Sequence, residues 1–420
     1  MKDARNGQKF LATRLSIFLP IQTFIRSGET DLAAFQTQEP GFSIGIEEEF
    51  WLVDRQSRDL ANDPPADFLK DAKAKLGDQV SSEFMRCQIE TGTKVCNSAK
   101  DAREQLTHMR STLAEIASKY DMALLAASTH PFAQWDSQKH TEGERYSTIA
   151  RDLRTVVDRL LICGMHVHVG IEDDDLRIEL MAQASYFLPH LLALTTSSPF
   201  WRGRDTGLQT FRLSVFDNLP RTGLPEVFGS WAEYRRHVDM LIQAGVIEDG
   251  TKLWWDLRPS DRWPTLEMRI ADVCTDLEDA VCVASITRCL MRMLYRLRRN
   301  NQRWRIYSHM LVRENRWRAC RYGSDPGEKT GLIDFGRAEI VPYVDLVEEI
   351  LELIRPDAEF FGCVAEIEHA REIVRRGTSA RRQREVFDAA IEKGISPRDA
   401  LVAVADHLIE QTVPGSQSVV

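Results

Sequence analysis

The sequence predicts an α+β fold, an antiparallel or mixed sheet with helices packed on one face, and three observations predict it. Short strand-like runs alternate with long helical stretches from Phe42 onward. Their order lacks the regular strand–helix alternation of a doubly wound parallel sheet. No Gly-x-Gly-x-x-Gly or Gly-x-x-x-x-Gly-Lys-Ser/Thr loop follows any strand, so a nucleotide, if bound, is bound by another architecture.

Residues 1–40 mix Lys2, Arg5, Lys9, Arg14 and Arg26 with a weak apolar stretch. They read as a poorly ordered N-terminal extension without a clean cleavage site, a targeting peptide and an over-long start being the alternatives. Residues 41–420 read as a single domain with a helical C-terminal part. Strands are predicted over Phe42 to Val53, Cys87 to Glu90, Met122 to Ala126, Met165 to Ile171 and Leu266 to Ile270. Helices are predicted over Ala99 to Tyr120, Leu176 to Ser197, Trp231 to Ala244 and Leu277 to Arg299, and roughly the last eighty residues read as helices alone.

A chain of 420 residues, 43% hydrophobic and 28% charged, can bury a sizeable core. Its formal net charge of −9 argues against a nucleic-acid-binding surface; the basic run Arg292 to Arg305 reads as a solvated helix face. Eight scattered cysteines without a Cys-x-x-Cys pair indicate neither a zinc framework nor a disulfide scaffold. No apolar run is long enough for a membrane span, since Arg14 and Pro20 interrupt Phe10 to Ile25. A soluble, cytoplasmic protein with reduced thiols is the expectation.

The polar residues of the predicted strands carry the chemistry. In Gly45-Ile46-Glu47-Glu48-Glu49-Phe50, strand alternation puts Glu47 and Glu49 on one face and Ile44 and Ile46 on the other. Two carboxylates at contact distance repel by about 4 kcal/mol at an effective dielectric of about 20 unless a cation neutralises them, and magnesium is the hard, oxygen-seeking choice. A solvated charged face is the commoner meaning of Glu-x-Glu alone. In Gly164-Met165-His166-Val167-His168 both imidazoles share a face, as metal ligands or as structural histidines. Thr265-Leu266-Glu267-Met268-Arg269 aims a carboxylate and a guanidinium together, toward a metal and a phosphoryl group or as a cross-strand ion pair. Glu83 and Glu90 add carboxylates ahead of Thr91-Gly92. The stretch Arg313 to Gly323 offers guanidiniums for phosphate, with a solvated basic helix as the plainer reading.

In this order the motifs resemble the glutamate-cysteine ligase type 2 family, in its bacterial carboxylate-amine ligase branch, whose catalytic fold is akin to that of glutamine synthetase. The elements are Gly-Ile-Glu-Glu-Glu at 45–49, Gln88-Ile89-Glu90-Thr91, Glu144-Arg145-Tyr146, Gly164 to His168, Thr265 to Arg269 and Glu314-Asn315-Arg316-Trp317-Arg318-Ala319. The resemblance makes 41–420 a single catalytic domain and implies ATP and Mg2+. Glu47, His166 and Glu267 would hold one magnesium, and Glu49, Glu90 and Glu83 the other. Arg269 would face the γ-phosphate, Arg212 the substrate or a phosphate, and Asn315, Arg318 and Arg321 the nucleotide. Glu83 and Glu90 are separated by an odd number of residues, so a bend or hairpin must intervene for both to ligate. His168 is where a typical glutamate-cysteine ligase has a different polar residue, and its role stays open.

The activity so implied joins glutamate or another carboxylate to an amine such as cysteine through an acyl phosphate, with a weak glutamate-cysteine ligase activity expected. Partners are those small molecules, with no nucleic acid and no membrane; a homodimer is left open. Two rivals remain: a zinc-dependent hydrolase built on His166 and His168, and a non-catalytic descendant of the fold that binds a nucleotide or amino acid.

Overall fold

The computed structural model describes residues 39–141, 160–327 and 329–413. The predicted N-terminal extension, apart from its last two residues, and the Glu144-Arg145-Tyr146 element lie outside them. A seven-stranded sheet organises the rest. Its strands are β1 (Ile44–Asp54), β2 (Val80–Ser82), β3 (Gln88–Gly92), β4 (Met122–Leu125), β5 (Met165–Gly170), β6 (Leu257–Pro259) and β7 (Thr265–Met268). The order is β6–β7–β5–β1–β3–β2, with β4 pairing the second half of β1. Every pair is antiparallel. All five predicted strands are present with no end shifted by more than two residues; β2 and β6, three residues each, are too short to carry a period-2 signal.

The first half of β1 keeps the alternation read from its sequence. Ile44, Ile46, Glu48 and Phe50 are buried, while Glu47 and Glu49 are half-buried on the other face. The helices are α1 (Ala66–Leu76), α2 (Ala99–Ser118), α3 (Asp174–Ala184), α4 (Leu188–Thr195), α5 (Arg212–Phe216), α6 (Trp231–Gln243), α7 (Leu277–Arg299), α8 (His309–Tyr322), α9 (Tyr343–Phe361), α10 (Val364–Arg376), α11 (Ser379–Glu392) and α12 (Pro397–Thr412). Of these, α2, α3 and α7 pack against the sheet and bury its apolar face. Helix starts follow local chemistry: Ser98 and Asp101 form a reciprocal capping box on α2, and Asp276 accepts from the Glu278 amide at the start of α7.

Glu48 points into this apolar layer, and its partner comes from α2. Arg110 donates to both Glu48 oxygens at 2.5 and 3.0 Å and spends its other N–H groups on the carbonyls of Cys274, Thr275 and Thr412. Both side chains are at most 1% exposed, so strand, helix and C-terminal helix are pinned by one fully satisfied ion pair.

Two readings of the sequence need correction. The single helix expected over Leu176 to Ser197 is two, α3 and α4, joined by a 3₁₀ turn at Ser185–Phe187. Pro189 lacks the N–H that would bond to the Ser185 carbonyl and its ring crowds that group, so one straight helix is not available. The basic run beginning at Arg292 is not simply a solvated face. Arg292 and Arg296 both donate to Asp357 of α9, which is 0% exposed, and the Arg292 guanidinium lies 3.6 Å from the Phe360 ring centroid. Beyond the sheet, the C-terminal stretch is helical as expected, and all eight cysteines are buried and unbridged. Among the described residues no helix is long and apolar enough to cross a membrane.

Candidate active site

Strand register assembles the polar face of the sheet. Glu47 lies directly opposite His166, Glu49 opposite Glu90, and His168 opposite Glu267. Such pairs bring Cβ atoms within about 5 Å of each other. Together they floor a cleft of about 500 Å³ that runs across the sheet, walled by Phe84 and Ile162 toward β2 and by Trp254 and Trp263 toward β6 and β7. No residue of α2, α3 or α7 lines it, so these three helices lie on one face and the cleft on the other.

The first cluster is Glu49, Glu83 and Glu90, whose carboxylate oxygens can lie within 4.8 Å of one another. The hairpin that the spacing of Glu83 and Glu90 requires is present. β2 and β3 pair antiparallel, Ser81 opposite Glu90, and Glu83 sits just past the end of β2, where the Phe84 amide donates to its carboxylate at 2.6 Å. Burial, then the neighbouring Glu83, pushes the Glu49 carboxyl up to about 8, against the pull of Arg212 and the Gly164 amide. Burial and the same like charges push Glu90 well above the carboxylate range. Three acidic groups thus share a pocket that does not tolerate three negative charges, the arrangement a divalent cation relieves.

That repulsion has a measurable sign. A carboxylate whose folded value is raised destabilises the fold as pH climbs from its ordinary value of 4.5 through the raised one, because the folded state must release a proton the unfolded chain has already lost. Glu90→Gln removes one such group. In chelator, its melting temperature should gain on wild type between pH 4.5 and 8, by a few degrees at the upper end, while the rise produced by added magnesium shrinks. A variant no more stable than wild type in chelator at pH 8 contradicts this account.

The second cluster is Glu47, Glu267 and the two histidines. Ligand atoms of Glu47, His168 and Glu267 lie within 4.8 Å of one another. His166 Nδ1 is 3.0 Å from Glu47 Oε2, and His168 Nε2 is 3.4 Å from Glu47 Oε1. Burial alone would raise Glu47; the two imidazoles beside it, His166 hydrogen-bonded to it and His168 close by, outweigh burial and hold the carboxyl well below its usual range. Burial likewise opposes ionisation of Glu267, but the guanidiniums of Arg269 and Arg258 keep it ionised. Arg258 donates to both Glu267 oxygens at 2.9 and 3.2 Å, and Arg269 forms a tight ion pair with the same carboxylate. The Nε2 atoms of both histidines and the Nε of Arg269 are buried without a hydrogen-bond partner among the described residues. Polar atoms left in that state fit a site made for charged ligands, and the oxygen- and imidazole-donor sets suit divalent cations.

Arg212, at the start of α5, completes the cationic wall. It is buried, reaches only the carbonyls of Arg269 and Ile270 at 3.3–3.4 Å, and forms no ion pair among the described residues. A guanidinium so placed is free to take an anion. Gly164 makes room for it: a Cβ there would lie 2.4 Å from the guanidinium, while the Gly164 amide donates to Glu49 at 2.6 Å. Gly164→Ala should therefore leave the fold standing and push Arg212 aside, lowering kcat/KM by about 10- to 100-fold with little change in the melting temperature. Unchanged kcat/KM would mean that Arg212 is not part of the reacting constellation.

The phosphate-clamp reading of the 313–323 stretch does not survive its placement. Asn315 bonds the backbone of Ile333 in both directions, Arg318 donates to the carbonyls of Gly331 and Lys329, and Arg321 to that of Gly207. None of the three lines the cleft, because α8 turns them toward the Leu332–Asp334 hairpin and the 207 loop. Arg316 does not line the cleft either, but it braces the segment that carries Arg269. It bridges Asp217, at the end of α5, and Asp256, whose carbonyl accepts the Arg269 and Ile270 amides. Arg316 and Arg258 were not singled out from the sequence. Arg258 sits on a three-residue strand ending in Pro259, with no alternation to mark its face.

Comparison with known proteins gives a consistent relationship. The model of glutamate-cysteine ligase family 2 matches residues 43–399. A provisionally named glutamate–cysteine ligase 2 from Rhodospirillum rubrum is 62% identical over 380 residues, 90% of this chain and 97% of that protein. A similarly named protein from Jannaschia sp. is 52% identical over 369 residues, covering 88% and 96%. Among solved structures, the glutamate–cysteine ligase of Francisella tularensis in complex with AMP superposes with a TM-score of 0.66 at 13% identity, covering 90% of each chain. The bifunctional glutathione synthetase of Pasteurella multocida superposes with a TM-score of 0.63 at 14% identity over 90% of this chain and 53% of that one.

Proposed function

This chain belongs to the glutamate-cysteine ligase family 2, and from that premise we propose that it is an ATP- and magnesium-dependent carboxylate–amine ligase acting on glutamate and an amine. The observation that carries the reading is one sheet face with two acidic clusters side by side, Glu49/Glu83/Glu90 and Glu47/His168/Glu267, walled by Arg212, Arg258 and Arg269.

The chemistry has two steps. A carboxylate oxygen of glutamate attacks the γ-phosphorus of ATP and ADP leaves; the neutral amine then attacks the acyl carbon, phosphate departs, and the amine nitrogen loses a proton. Bound magnesium would neutralise phosphate and carboxylate oxygens drawn together in the cleft. Glu49, Glu83 and Glu90 would hold one cation, and Glu47 and Glu267 with an imidazole the other. Arg212 and Arg269 are aimed at the anionic oxygens, where preorganised donors stabilise developing charge without reorganising. Glu267 orients Arg258 and Arg269, and the Gly164 amide holds Glu49. Arg258 and all of the two clusters except Glu83 sit on strands, with Arg269 and Glu83 just past strand ends, and the strands supply the rigidity that in-line transfer needs.

The deciding experiment is an ADP- and phosphate-release assay on the purified protein, with glutamate constant and a panel of amines including cysteine. Release that requires magnesium, glutamate and one amine is the expected result and names the acceptor. Hydrolysis without ATP by a protein that retains zinc through purification would overturn it in favour of the zinc hydrolase.

A further inference from the structure

A second cavity, of about 570 Å³, lies away from the sheet, where the loop after α8 meets the start of α9 and residues of α10 and α11. It shares no lining residue with the cleft. Much of its wall is apolar, with Val344 and Val347 from α9 and Val374 from α10. Three polar features on that wall have no use within the fold. The first is the start of α9, a helix of 19 residues whose N-cap, Pro342, offers no side-chain cap. The Pro342 carbonyl accepts from the Asp345 and Leu346 amides, but the amides of Tyr343 and Val344 have no acceptor within the helix, and the helix dipole makes that end partially positive.

The second feature is Ser324, two residues past α8, which is 3% exposed and whose Oγ has no hydrogen-bond partner among the described residues. A buried hydroxyl in that state is rare in a folded protein and marks a place where a partner is missing. The third is Arg381 of α11. Its Nε is buried without a hydrogen bond, although the exposed carboxylate of Glu385 lies 3.3 Å away, and one terminal N–H donates to the Arg375 carbonyl at 3.1 Å.

The remaining charges on the wall limit what the site can take. Glu348 is held by Arg371 at 2.7 and 2.8 Å, and Arg375 by Glu372 at 2.6 and 2.7 Å. Asp325 accepts from the Gln209 side chain, and burial raises its carboxyl. Three guanidiniums against two carboxylates leave the lining with one positive charge, enough to balance one negative charge. A phosphate dianion would meet Asp325 and Glu348 with a surplus of like charge, whereas a carboxylate would not.

We propose that this cavity binds a monocarboxylate with an apolar body, its oxygens facing the start of α9, Ser324 and Arg381 and its chain lying against Val344, Val347 and Val374. The site is independent of the ligase reading, since nothing in it touches the cleft.

The test uses sodium hexanoate as the probe on the full chain, titrated by saturation-transfer NMR beside 1-hexanol and inorganic phosphate, with thermal melts to confirm folding of each variant. Hexanoate should bind saturably, and both comparison molecules at least about 10-fold more weakly. Arg381→Gln should weaken hexanoate by about 10-fold and Ser324→Ala by about 3-fold. Val344→Asp places a carboxylate at the second position of α9, where the helix tolerates it, and should weaken hexanoate by more than about 10-fold. Arg212→Gln, which changes the cleft, should bind hexanoate as wild type does. Hexanol binding as tightly as hexanoate overturns the anion assignment, and phosphate binding more tightly overturns the monocarboxylate. Loss of binding in Arg212→Gln with full binding in Ser324→Ala, Arg381→Gln and Val344→Asp puts the probe in the cleft and overturns the proposal, as does the absence of saturable hexanoate binding by wild type.

Discussion

Glu267→Gln should abolish ligase turnover, lowering kcat by about 10³-fold or more, while the protein still folds. Glu267 is 2% exposed and is the shared partner of Arg258 and Arg269. Gln preserves its shape but removes the charge that holds both guanidiniums and one of the two carboxylates proposed to hold the second cation. A thousandfold loss corresponds to about 4 kcal/mol at the transition state, the size expected when a preorganised electrostatic group is lost. Leaving two guanidiniums close together without their carboxylate should also lower the melting temperature by several degrees without changing the circular dichroism spectrum. Single-turnover ADP formation beside thermal melts separates the two effects. Turnover near wild type would remove Glu267 from the site, and an unfolded variant would recast it as a structural ion-pair partner.

Arg110→Met should produce the largest loss of stability, about 3–5 kcal/mol, because it strands Glu48 as a buried, unpaired charge and leaves the carbonyls of Cys274, Thr275 and Thr412 without their donor. That is a large part of the 5–15 kcal/mol by which a folded domain exceeds its unfolded state. The double variant Glu48→Gln/Arg110→Met should recover part of the loss, since replacing both charges removes the desolvated ion while replacing one does not. Denaturant unfolding of wild type, both single variants and the double variant measures the coupling. A single-variant loss below about 1 kcal/mol would show the pair to be dispensable.

Much of the site was legible because a β-strand has a period of two and that period is local. Glu47 and Glu49, His166 and His168, and Glu267 and Arg269 each share a face as a direct consequence of the pleat, whatever the strands pair with. The helices were legible for the same kind of reason: α7 spans the range its apolar periodicity predicts, and its cap is written in Asp276.

Sequence alone therefore determined that this protein has an α+β architecture with acidic, imidazole and guanidinium side chains on the polar faces of its strands. Tertiary structure decided which of those groups meet. Register between strands set Glu49 against Glu90 and Glu267 against His168, and the hairpin after β2 brought Glu83 to them. In Gly-Ile-Glu-Glu-Glu the three carboxylates look alike, yet the middle one faces inward to Arg110, 62 residues away. Likewise the 313–323 stretch reads as a run of cations, but α8 pairs Arg316 with Asp217 and Asp256 behind the cleft and sends Asn315, Arg318 and Arg321 to backbone carbonyls. The physical reason is that alternation depends on neighbouring residues in the chain, whereas pairing depends on distant segments whose approach is fixed by burying the apolar face of the whole sheet.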